Sequence, residues 1–556
     1  MRKLPIGISD FKELIVEDYH YVDKSNFISE IIDASAKVIL LPRPRRFGKT
    51  LNLSMLNYFF DADRDDREIF DNLNISKNQK AMAHCGKYPI IYISFKDVKE
   101  KNFEFSLEKI KRLISNEFKR HYNAIINTNI DKIDKKRVEM IISEEVSKTD
   151  IENSFKLLSK LLTVAYDQRA IVLIDEYDTP IQTGFMQGYY DEIVDFFKTF
   201  MGAVLKDNDV NLQKAVLTGI LRVSKESIFS DLNNIEVYTL LDEEFGDKFG
   251  FTIEEVEHIL ISYGLEANLE EVIRWYDGYQ IGDQQIFNPW SLLNYANRKR
   301  FDVYWANTSS NGIIRTLVEN SEVFQKDLKL LLKGETLEKV VNPNITFKDK
   351  DFNFNEEMLY SFLFFSGYLK YKSKKFYRGK HYCQLSIVNI ECQYIFENII
   401  SNWIEDSFSN SKLRVLLKSL TSGELPLFER VFSEFVRDTL SFHDTAKKNV
   451  ESVYHAFFLG LLLNLGDYEI ISNQEAGYGR VDIILLHKRD KDRLAIVMEL
   501  KTIDEYFEET KEIALQSAVE QIKEKEYISL VQKRGYENIL SFGVVFDGKR
   551  VWVKEV

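Results

Sequence analysis

The chain has 556 residues, with 45% hydrophobic and 13% aromatic residues and a formal net charge of −13 at pH 7. This length exceeds what one hydrophobic core usually organises, so we expect about two to four domains. The hydrophobic content excludes a largely disordered chain. The negative charge argues against sequence-independent adhesion to nucleic acid over the whole surface, because that adhesion depends on Lys and Arg.

The apolar stretches and the cysteines bear on where the protein resides. The N-terminal residues lack the apolar core of a signal peptide, and the most apolar stretch, residues 459–465, is too short to cross a bilayer. Cys85, Cys383 and Cys392 lack the spacing of a zinc site and cannot all pair with one another. These features predict a soluble protein of the reducing cytoplasm.

The run at 42–50, Pro-Arg-Pro-Arg-Arg-Phe-Gly-Lys-Thr, follows an apolar stretch at 38–41 and precedes a helical pattern. A strand that passes through a tight loop into a helix directs backbone N–H groups and the helix dipole at one point. That arrangement predicts a phosphate site formed by Gly48, Lys49 and Thr50. Lys49 would add a full charge, and the Thr50 hydroxyl would be a ligand for phosphate-bound Mg²⁺.

The match to the usual phosphate-loop pattern is partial. Its first glycine is replaced by Arg43, and Pro42 and Pro44 have no N–H to donate. The side chains of Arg45 and Arg46 are candidates to replace those donors. The alternative is an ordinary strand-to-helix turn with a solvated basic face.

A second polar cluster follows a buried-strand pattern at 170–174. Its residues, Asp-Glu-Tyr-Asp at 175–178, would reach the carboxyl edge of a parallel sheet, where ligands of open α/β sheets bind. Asp175 is a candidate to hold Mg²⁺ through water, and Glu176 to orient or deprotonate an attacking water. The alternative is an acidic strand end that caps the next helix.

A further strand pattern at 215–219 places Thr218 at the same edge, as a candidate sensor of a γ-phosphate. Arg222 would donate to that phosphate, or to a nucleotide held by a neighbouring subunit of a homo-oligomer. A helix cap and a surface salt bridge are the alternatives for these two residues. Other strand and helix patterns lie at 89–95, 103–123 and 151–166. Their alternation predicts a doubly wound α/β core of the P-loop type.

The middle of the chain is less regular. Residues 261–345 have a mostly helical pattern, and residues 355–400 have the pattern helix, strand, strand, helix. The second order suits a small winged-helix module, which would either bind DNA or serve as a packing adaptor between domains. Basic runs at 135–137, 370–375 and 378–381 are candidates for contact with nucleic acid, or ordinary solvated faces.

The C-terminal region contains a second group of chemically suggestive residues. Strand patterns at 479–486 and 494–501 are joined by a charged turn, so Asp482 and Glu499 would be neighbours in one sheet. Because side chains alternate along a strand, Glu499 and Lys501 would point to the same face. Two carboxylates with a backbone carbonyl suit Mg²⁺, and Lys501 would orient or activate water for phosphodiester hydrolysis.

The chain resembles the bacterial AAA-ATPase-like family that is fused to a C-terminal PD-(D/E)xK nuclease domain. The resemblance spans nearly the whole chain and is carried by the motifs at 21–24, 43–50, 175–178, 217–224, 275–279, 287–291 and 473–480. It implies an ATP-binding core that uses Mg²⁺ and a nuclease domain in which Gln521 and Tyr527 support the site from the following helix. It also implies an acidic residue, Glu451 or Glu475, that assists the nuclease metal.

We therefore expect an AAA-ATPase-like domain over 1–260, a helical and winged-helix-like region over 261–435 and a restriction-endonuclease-like α/β domain over 436–556. The expected function is that of an ATPase with a Mg²⁺-dependent nuclease, gated by the nucleotide, with DNA favoured over RNA as partner. The alternative is a nucleotide-regulated scaffold whose nuclease fold is inactive and binds nucleic acid or protein. An ATPase that remodels proteins ranks last, because the sequence has no recognisable pore loop.

Overall fold

The computed structural model describes residues 2–128, 130–223, 228–229, 234–305, 321–344, 356–406, 410–439, 458–462, 464–476, 479–503, 510–525, 527–548 and 550–556. The chain divides into a first unit, residues 1–320 and 338–392, and a second unit, residues 321–337 and 393–556. The predicted three-part division at 260 and 435 stays a prediction. Among the helices that the structure describes, none has the length and apolar composition needed to cross a bilayer.

A five-stranded parallel sheet forms the centre of the first unit. Its strands are β1 Val38–Pro42, β2 Ile90–Ser94, β3 Ala170–Asp175, β4 Leu212–Gly219 and β5 Ile235–Val237. Their spatial order is β2-β3-β4-β1-β5. β1 and β3 are buried along their whole length, as expected for parallel strands with helices on both faces. β1 pairs with β4 on one side and β5 on the other, so the loop after β1 leaves an interior strand.

Helices pack around this sheet. They are α1 Phe11–Val16, α2 Asn26–Asp33, α3 Lys49–Phe60, α4 Gln79–Met82, α5 Phe103–Arg120, α6 Tyr122–Ile126, α7 Lys132–Ile142, α8 Lys148–Glu152, α9 Ser154–Tyr166, α10 Thr179–Gln187 and α11 Tyr190–Leu205. Alternate strand residues, such as Val38 and Leu40, share one core with α5, α9 and α11, and α3 packs against β2, β3 and β4. The predicted doubly wound core is confirmed.

Two helix predictions in this core were wrong in detail. The helix predicted at 103–123 is divided at His121 into α5 and α6. The helix predicted at 151–166 is divided at Asn153 into α8 and α9. The Asn153 side-chain amide donates to the Thr149 carbonyl at 2.9 Å. Such local side-chain bonds compete with the helical pattern.

The elements from 253 to 406 are α12 Ile253–Tyr263, α13 Leu269–Tyr276, β6 Tyr279–Ile281, β7 Gln284–Ile286, α14 Pro289–Arg298, α15 Glu322–Leu332, β8 Leu337–Val341, α16 Glu356–Phe365, β9 Leu369–Tyr377, β10 Lys380–Ile387 and α17 Ile390–Asp406. β6 pairs with β7, and β8, β10 and β9 form a second small sheet in that order. The prediction of a helical region at 261–345 missed β6, β7 and β8, because strands this short leave little periodic pattern. The element order predicted for 355–400 is present, and its winged-helix assignment stays a prediction.

The second unit contains a mixed sheet. Its further elements are α18 Asn410–Thr421, α19 Leu425–Thr439, β11 Tyr468–Ala476, β12 Gly479–His487, β13 Ala495–Thr502, α20 Lys511–Glu524, α21 Tyr527–Lys533, β14 Ile539–Asp547 and β15 Arg550–Glu555. The strand order is β11-β12-β13-β14-β15, and only the β13–β14 pair is parallel among these described strands. Met498 and Leu500 share a core with α18 and α19, while Val497 packs with α20 and α21. The fold is therefore a sheet with helices on both faces.

The β12–β13 hairpin confirms the sequence prediction for this region. β11 and β15 were not predicted. The polar run of β11 does not alternate, and β15 is largely exposed at the edge of the sheet.

Candidate functional sites

The loop between β1 and α3 has the features of an anion site. Gly48 is the N-cap of α3, with a φ of 80°, and among the described residues no side chain caps the N-terminus of this helix. An uncapped helix N-terminus is a binding position for phosphate. Arg46 also adopts a positive φ of 67°, which non-glycine residues rarely do. Its guanidinium lies 4.4 Å from the ring centroid of Trp290, within the range of a cation–π contact.

Arg43 occupies the position of the missing glycine, and its contacts explain the substitution. The guanidinium is fully buried and donates to the Tyr238 carbonyl at 2.6 Å and the Pro42 carbonyl at 2.9 Å. It also lies 5.2 Å from the ring centroid of Phe249. Burial lowers the pKa of Arg43 to about 10. The side chain thus anchors the loop to the protein interior, and Arg43 is not among the described residues that line the cavity in front of the loop.

Lys49 connects the loop to the end of β3. Its Nζ donates to the carbonyls of Arg43 and Pro44 at 3.1 Å each and lies 3.2 Å from Glu176 Oε1. Burial by itself would raise the pKa of Glu176, but the charge and hydrogen bond of Lys49 hold that pKa below its usual value. Glu176 has a φ of 51°, so its backbone is held in an unfavourable conformation at this contact. Residues from two separate motifs therefore meet directly.

Asp175 joins three further elements. Its Oδ2 accepts hydrogen bonds from Thr50 at 2.8 Å and from Ser94 at 3.2 Å, and its Oδ1 accepts one from Thr218 at 2.7 Å. Burial, and next the negative charge of Glu176, raise the pKa of Asp175. The carboxylate thus ties the ends of β2 and β4 to the first turn of α3. Sequence reasoning named Thr50 and Thr218 but missed Ser94, whose signal is its position as the polar last residue of a buried strand.

Asp178 organises the chain that follows β4. Its Oδ2 accepts from Ile220 N at 3.0 Å, from Leu221 N at 2.9 Å and from Gln182 Nε2 at 2.7 Å. Burial raises the pKa of Asp178 to about 6. A Cβ on Gly219 would lie 2.5 Å from Asp178 Oδ1, so only glycine fits there. No local sequence pattern predicts this arrangement.

Thr218 and Arg222 occupy different surroundings. Thr218 is fully buried. Its hydroxyl and that of Thr50 both donate to the carboxylate of Asp175. Arg222 does not line the cavity among the residues described. Burial lowers its pKa, and the charges of Tyr177 and Asp242 act against that change. The predicted roles stay predictions: Thr218 as a sensor of the γ-phosphate, and Arg222 as a hydrogen-bond donor to phosphate.

A cavity of about 650 Å³ opens in front of the phosphate loop. This volume lies within the range of small-molecule sites. Its basic lining residues are Lys24, Arg45, Arg46, Lys49, Lys96, Lys99 and Lys248. Glu176 is the one acidic side chain among the described residues of the lining. The lining also includes the apolar and aromatic residues Val22, Phe251 and Trp290. The cavity therefore suits a polyanion with an apolar or aromatic part.

The second site lies on the face of β12 and β13 that is covered by α20. Asp482 lies one position beyond the Ile483–Met498 pair of the β12–β13 ladder. Its Oδ2 accepts a hydrogen bond from Leu500 N at 2.9 Å. Lys501 Nζ lies 3.6 Å from Glu499 Oε1, which confirms that these two side chains share a face. Gln521 donates to the same oxygen of Glu499.

Gln521 also connects Glu499 to an aromatic residue. Its Nε2 lies 3.4 Å from the hydroxyl of Tyr527. Burial, partly offset by this hydrogen bond, raises the pKa of Tyr527. The resemblance implied that Gln521 and Tyr527 lie on one helix. That was wrong, because Tyr527 begins α21 and Gln521 belongs to α20.

The oxygen donors of Asp482 and Glu499 fit a hard divalent cation such as Mg²⁺. Among the described residues, no three His, Cys, Asp or Glu side chains come together as a metal cluster. Glu451, one candidate for a third carboxylate, lies outside the described residues, and so does the side chain of Glu475. The described part of the site thus supplies two carboxylates.

The strand order, the loop before α3 and the Thr50–Asp175 contact define a P-loop-type core, and the second unit has a restriction-endonuclease-like fold. Residues 5–229 match the family model described as a predicted AAA-ATPase, and residues 449–556 match that of the PD-(D/E)XK nuclease superfamily. The chain therefore carries an AAA-ATPase-like domain and a C-terminal PD-(D/E)XK nuclease superfamily domain. It is also similar to an uncharacterized protein in the vnfD 5′ region of Azotobacter chroococcum mcd 1, with 24% identity over 554 residues that cover 98% of this chain and 96% of that protein.

Proposed function

We propose that the first unit binds ATP and hydrolyses it. The observation that carries this proposal is the meeting of Lys49 with Glu176, at 3.2 Å, beside the 2.8 Å hydrogen bond from Thr50 to Asp175. A phosphate-binding cation, a metal-binding hydroxyl and two carboxylates thus meet at one edge of the sheet. The basic cavity in front of them has the charge that a triphosphate requires.

The residues divide the work as follows. Lys49 would exchange its loop carbonyls for phosphate oxygens, and Arg45 and Arg46 would add donors beside Gly48. Thr50 and Asp175 would hold Mg²⁺, which neutralises phosphate charge when bound. Glu176 would orient a water molecule and accept its proton. Thr218 would sense the terminal phosphate, and Arg222 would serve that phosphate or one bound by a second copy of the chain.

The second unit is proposed to hydrolyse phosphodiesters of nucleic acid, with DNA favoured over RNA. Asp482 and Glu499 would hold Mg²⁺, which supplies Lewis-acid activation of the phosphate when bound. Lys501 would orient water, because its ammonium already lies beside Glu499. Gln521 would fix the Glu499 carboxylate through its hydrogen bond. The alternative is a scaffold whose nuclease fold binds nucleic acid or protein without cleaving.

Nucleotide gating of the nuclease is the third element of the proposal. The Trp305 indole donates to the Arg45 carbonyl at 3.2 Å, and Trp305 N donates to Glu391 Oε1 at 2.5 Å. Glu391 lies in the first turn of α17, a helix that continues to Asp406. A change of the phosphate loop would therefore act, through two residues, on the first turn of α17, whose residues from 393 onward are assigned to the second unit.

The experiment compares nucleotide affinity and phosphate release for the wild type, Lys49→Ala and the control Lys132→Ala, which removes an exposed lysine of α7. We expect Lys49→Ala to lower ATP affinity at least about tenfold, since a charge-assisted contact is lost. Lys132→Ala should behave as the wild type. Unchanged affinity in Lys49→Ala would remove the assignment of this loop.

A further inference from the structure

The β9–β10 hairpin contrasts with the overall charge of the chain. Between Lys370 and Lys380 the sequence has six Lys or Arg residues and no acidic residue, in a protein of net charge −13. All of residues 372–380 are exposed. A concentrated positive segment on an acidic protein indicates a partner that is strongly negative.

Two aromatic side chains are exposed within this positive segment. Phe376 is 66% exposed and Tyr377 is 48% exposed. They precede the two-residue turn Arg378-Gly379, in which both residues have positive φ, 48° and 77°. This is the backbone of a tight hairpin turn that matches the twist of its strands. The rings are therefore presented at the end of a short and well-defined hairpin.

The basic side chains differ in what they contact. Lys374 donates to the Leu241 carbonyl at 2.8 Å, and Lys380 pairs with Glu357 at 3.0 Å. Lys372, Lys375 and Arg378 form no ion pair with any residue that the structure describes.

The aromatic rings and the cations interleave. Lys375 Nζ and the Arg378 guanidinium lie 5.4 and 5.2 Å from the ring centroid of Tyr377. Phe376 lies 4.8 Å from the His381 ring, centroid to centroid. Because side chains alternate along a strand, Phe376 and Tyr377 face opposite sides of the hairpin tip, and two cations lie beside the ring of Tyr377.

We propose that the tip of this hairpin, residues 372–380, binds single-stranded nucleic acid and presents it as the substrate of the chain. Lys372, Lys375 and Arg378 would contact phosphates, and Phe376 and Tyr377 would stack on bases, which is how proteins hold single strands without reading sequence. The proposal rests on the proposed nuclease function for its biological meaning. Lysines on an edge strand also prevent pairing with other strands, but that role does not call for two exposed aromatic rings.

The test measures binding of the full chain, in EDTA, to a fluorescent single-stranded DNA, with RNA and duplex DNA as competitors, over a series of salt concentrations. The test variant is Lys372→Ala/Lys375→Ala/Arg378→Ala. The matched control is Lys119→Ala/Lys132→Ala/Lys198→Ala, which removes the same charge from exposed positions of α5, α7 and α11, outside the basic runs. Retained ATP affinity and an unchanged unfolding midpoint show that each variant is folded.

We expect the hairpin variant to bind about tenfold or more weakly and to lose roughly 2 units of the salt slope, since each single-strand phosphate contact contributes about 0.7. The control should change affinity less than about twofold. Phe376→Ala/Tyr377→Ala should lower affinity about tenfold with an unchanged salt slope, because stacking releases no counterions. Tighter binding of duplex than of single strands would overturn the choice of partner.

A separate cleavage assay with Mg²⁺ distinguishes the two proposals. Hairpin-dependent binding without cleavage by the wild type would remove the nuclease and leave the hairpin assignment. Cleavage by the wild type together with normal binding by the hairpin variant would remove the hairpin assignment alone. A hairpin variant that self-associates while binding nucleic acid normally would show that the lysines protect an edge strand, and it would overturn the hairpin proposal. A wild type that binds no nucleic acid would also overturn it.

Discussion

Lys49 Nζ lies 3.2 Å from Glu176 Oε1, with 3% of the Lys49 side chain and 20% of the Glu176 side chain exposed. The lysine that would bind phosphate thus contacts the carboxylate that would act on water. In the proposed mechanism, Lys49 would turn to phosphate oxygens, and Glu176 would then lose its counter-charge and become a better proton acceptor. The pair would therefore link nucleotide binding to activation of the attacking water.

Glu176→Gln should separate binding from hydrolysis. Glutamine is similar in shape but cannot accept the proton, so we expect phosphate release to fall by about a hundredfold or more. ATP affinity should be retained or increased, because the carboxylate that competes for Lys49 is gone. Phosphate release and nucleotide titration measure the two effects, and wild-type hydrolysis by Glu176→Gln would contradict the role of this residue.

Arg43→Gly restores the glycine of the usual phosphate-loop pattern, and we expect it to damage the protein. The substitution leaves the Tyr238 carbonyl without the buried guanidinium that bonds it at 2.6 Å, and it removes the contact with Phe249. The free energy of unfolding should fall by about 2 to 4 kcal/mol, measured by urea unfolding. A variant that is equally stable and binds ATP more tightly would mean that this arginine only obstructs the loop.

Glu391 should contribute a pH dependence to stability. Burial raises its pKa from 4.5 to about 7, so the folded state takes up a proton more readily than the unfolded chain. The stabilising contribution is complete below pH 4.5 or so and is lost as the pH rises through about 7. Between pH 5 and pH 8 the wild type should lose on the order of 2 kcal/mol relative to Glu391→Gln, which stays neutral.

Urea unfolding of both proteins at the two pH values measures this difference for Glu391. The comparison with Glu391→Gln cancels the groups that titrate in both proteins. Parallel changes in the two proteins would show that Glu391 is already ionised in the fold at pH 5.

The parts of the sites that the sequence predicted are those in which a local pattern carries the information. A buried apolar run followed by polar residues identifies β1 with its loop and β3 with Asp175. The alternation in β13 placed Glu499 and Lys501 on one face, and their 3.6 Å approach confirms it. In each case the relevant spacing is set by one strand or one turn, so it can be read from neighbouring residues.

The missed features depend on residues that are distant in sequence. Arg43 could not be understood without the chain at 238–249, which supplies its carbonyl and aromatic partners. Asp178 could not be recognised because its partners are backbone N–H groups of Ile220 and Leu221, which every residue type has. The contact of Trp305 with the Arg45 carbonyl spans 260 positions. Such contacts are decided by the packing of the whole unit and leave no periodic signal.

The central claim is that one chain has a nucleotide site and a separate phosphodiester-cleaving site. The most direct measurement is cleavage of single- and double-stranded nucleic acid with Mg²⁺, with and without ATP. It compares the wild type with Asp482→Ala and with the control Asp490→Ala. The carboxylate of Asp490 lies in the turn between β12 and β13. We predict that the wild type and Asp490→Ala cleave, that ATP changes their rate, and that Asp482→Ala does not cleave but binds ATP with wild-type affinity. Cleavage by Asp482→Ala at the wild-type rate, or a wild type that cleaves none of these substrates, would contradict the account.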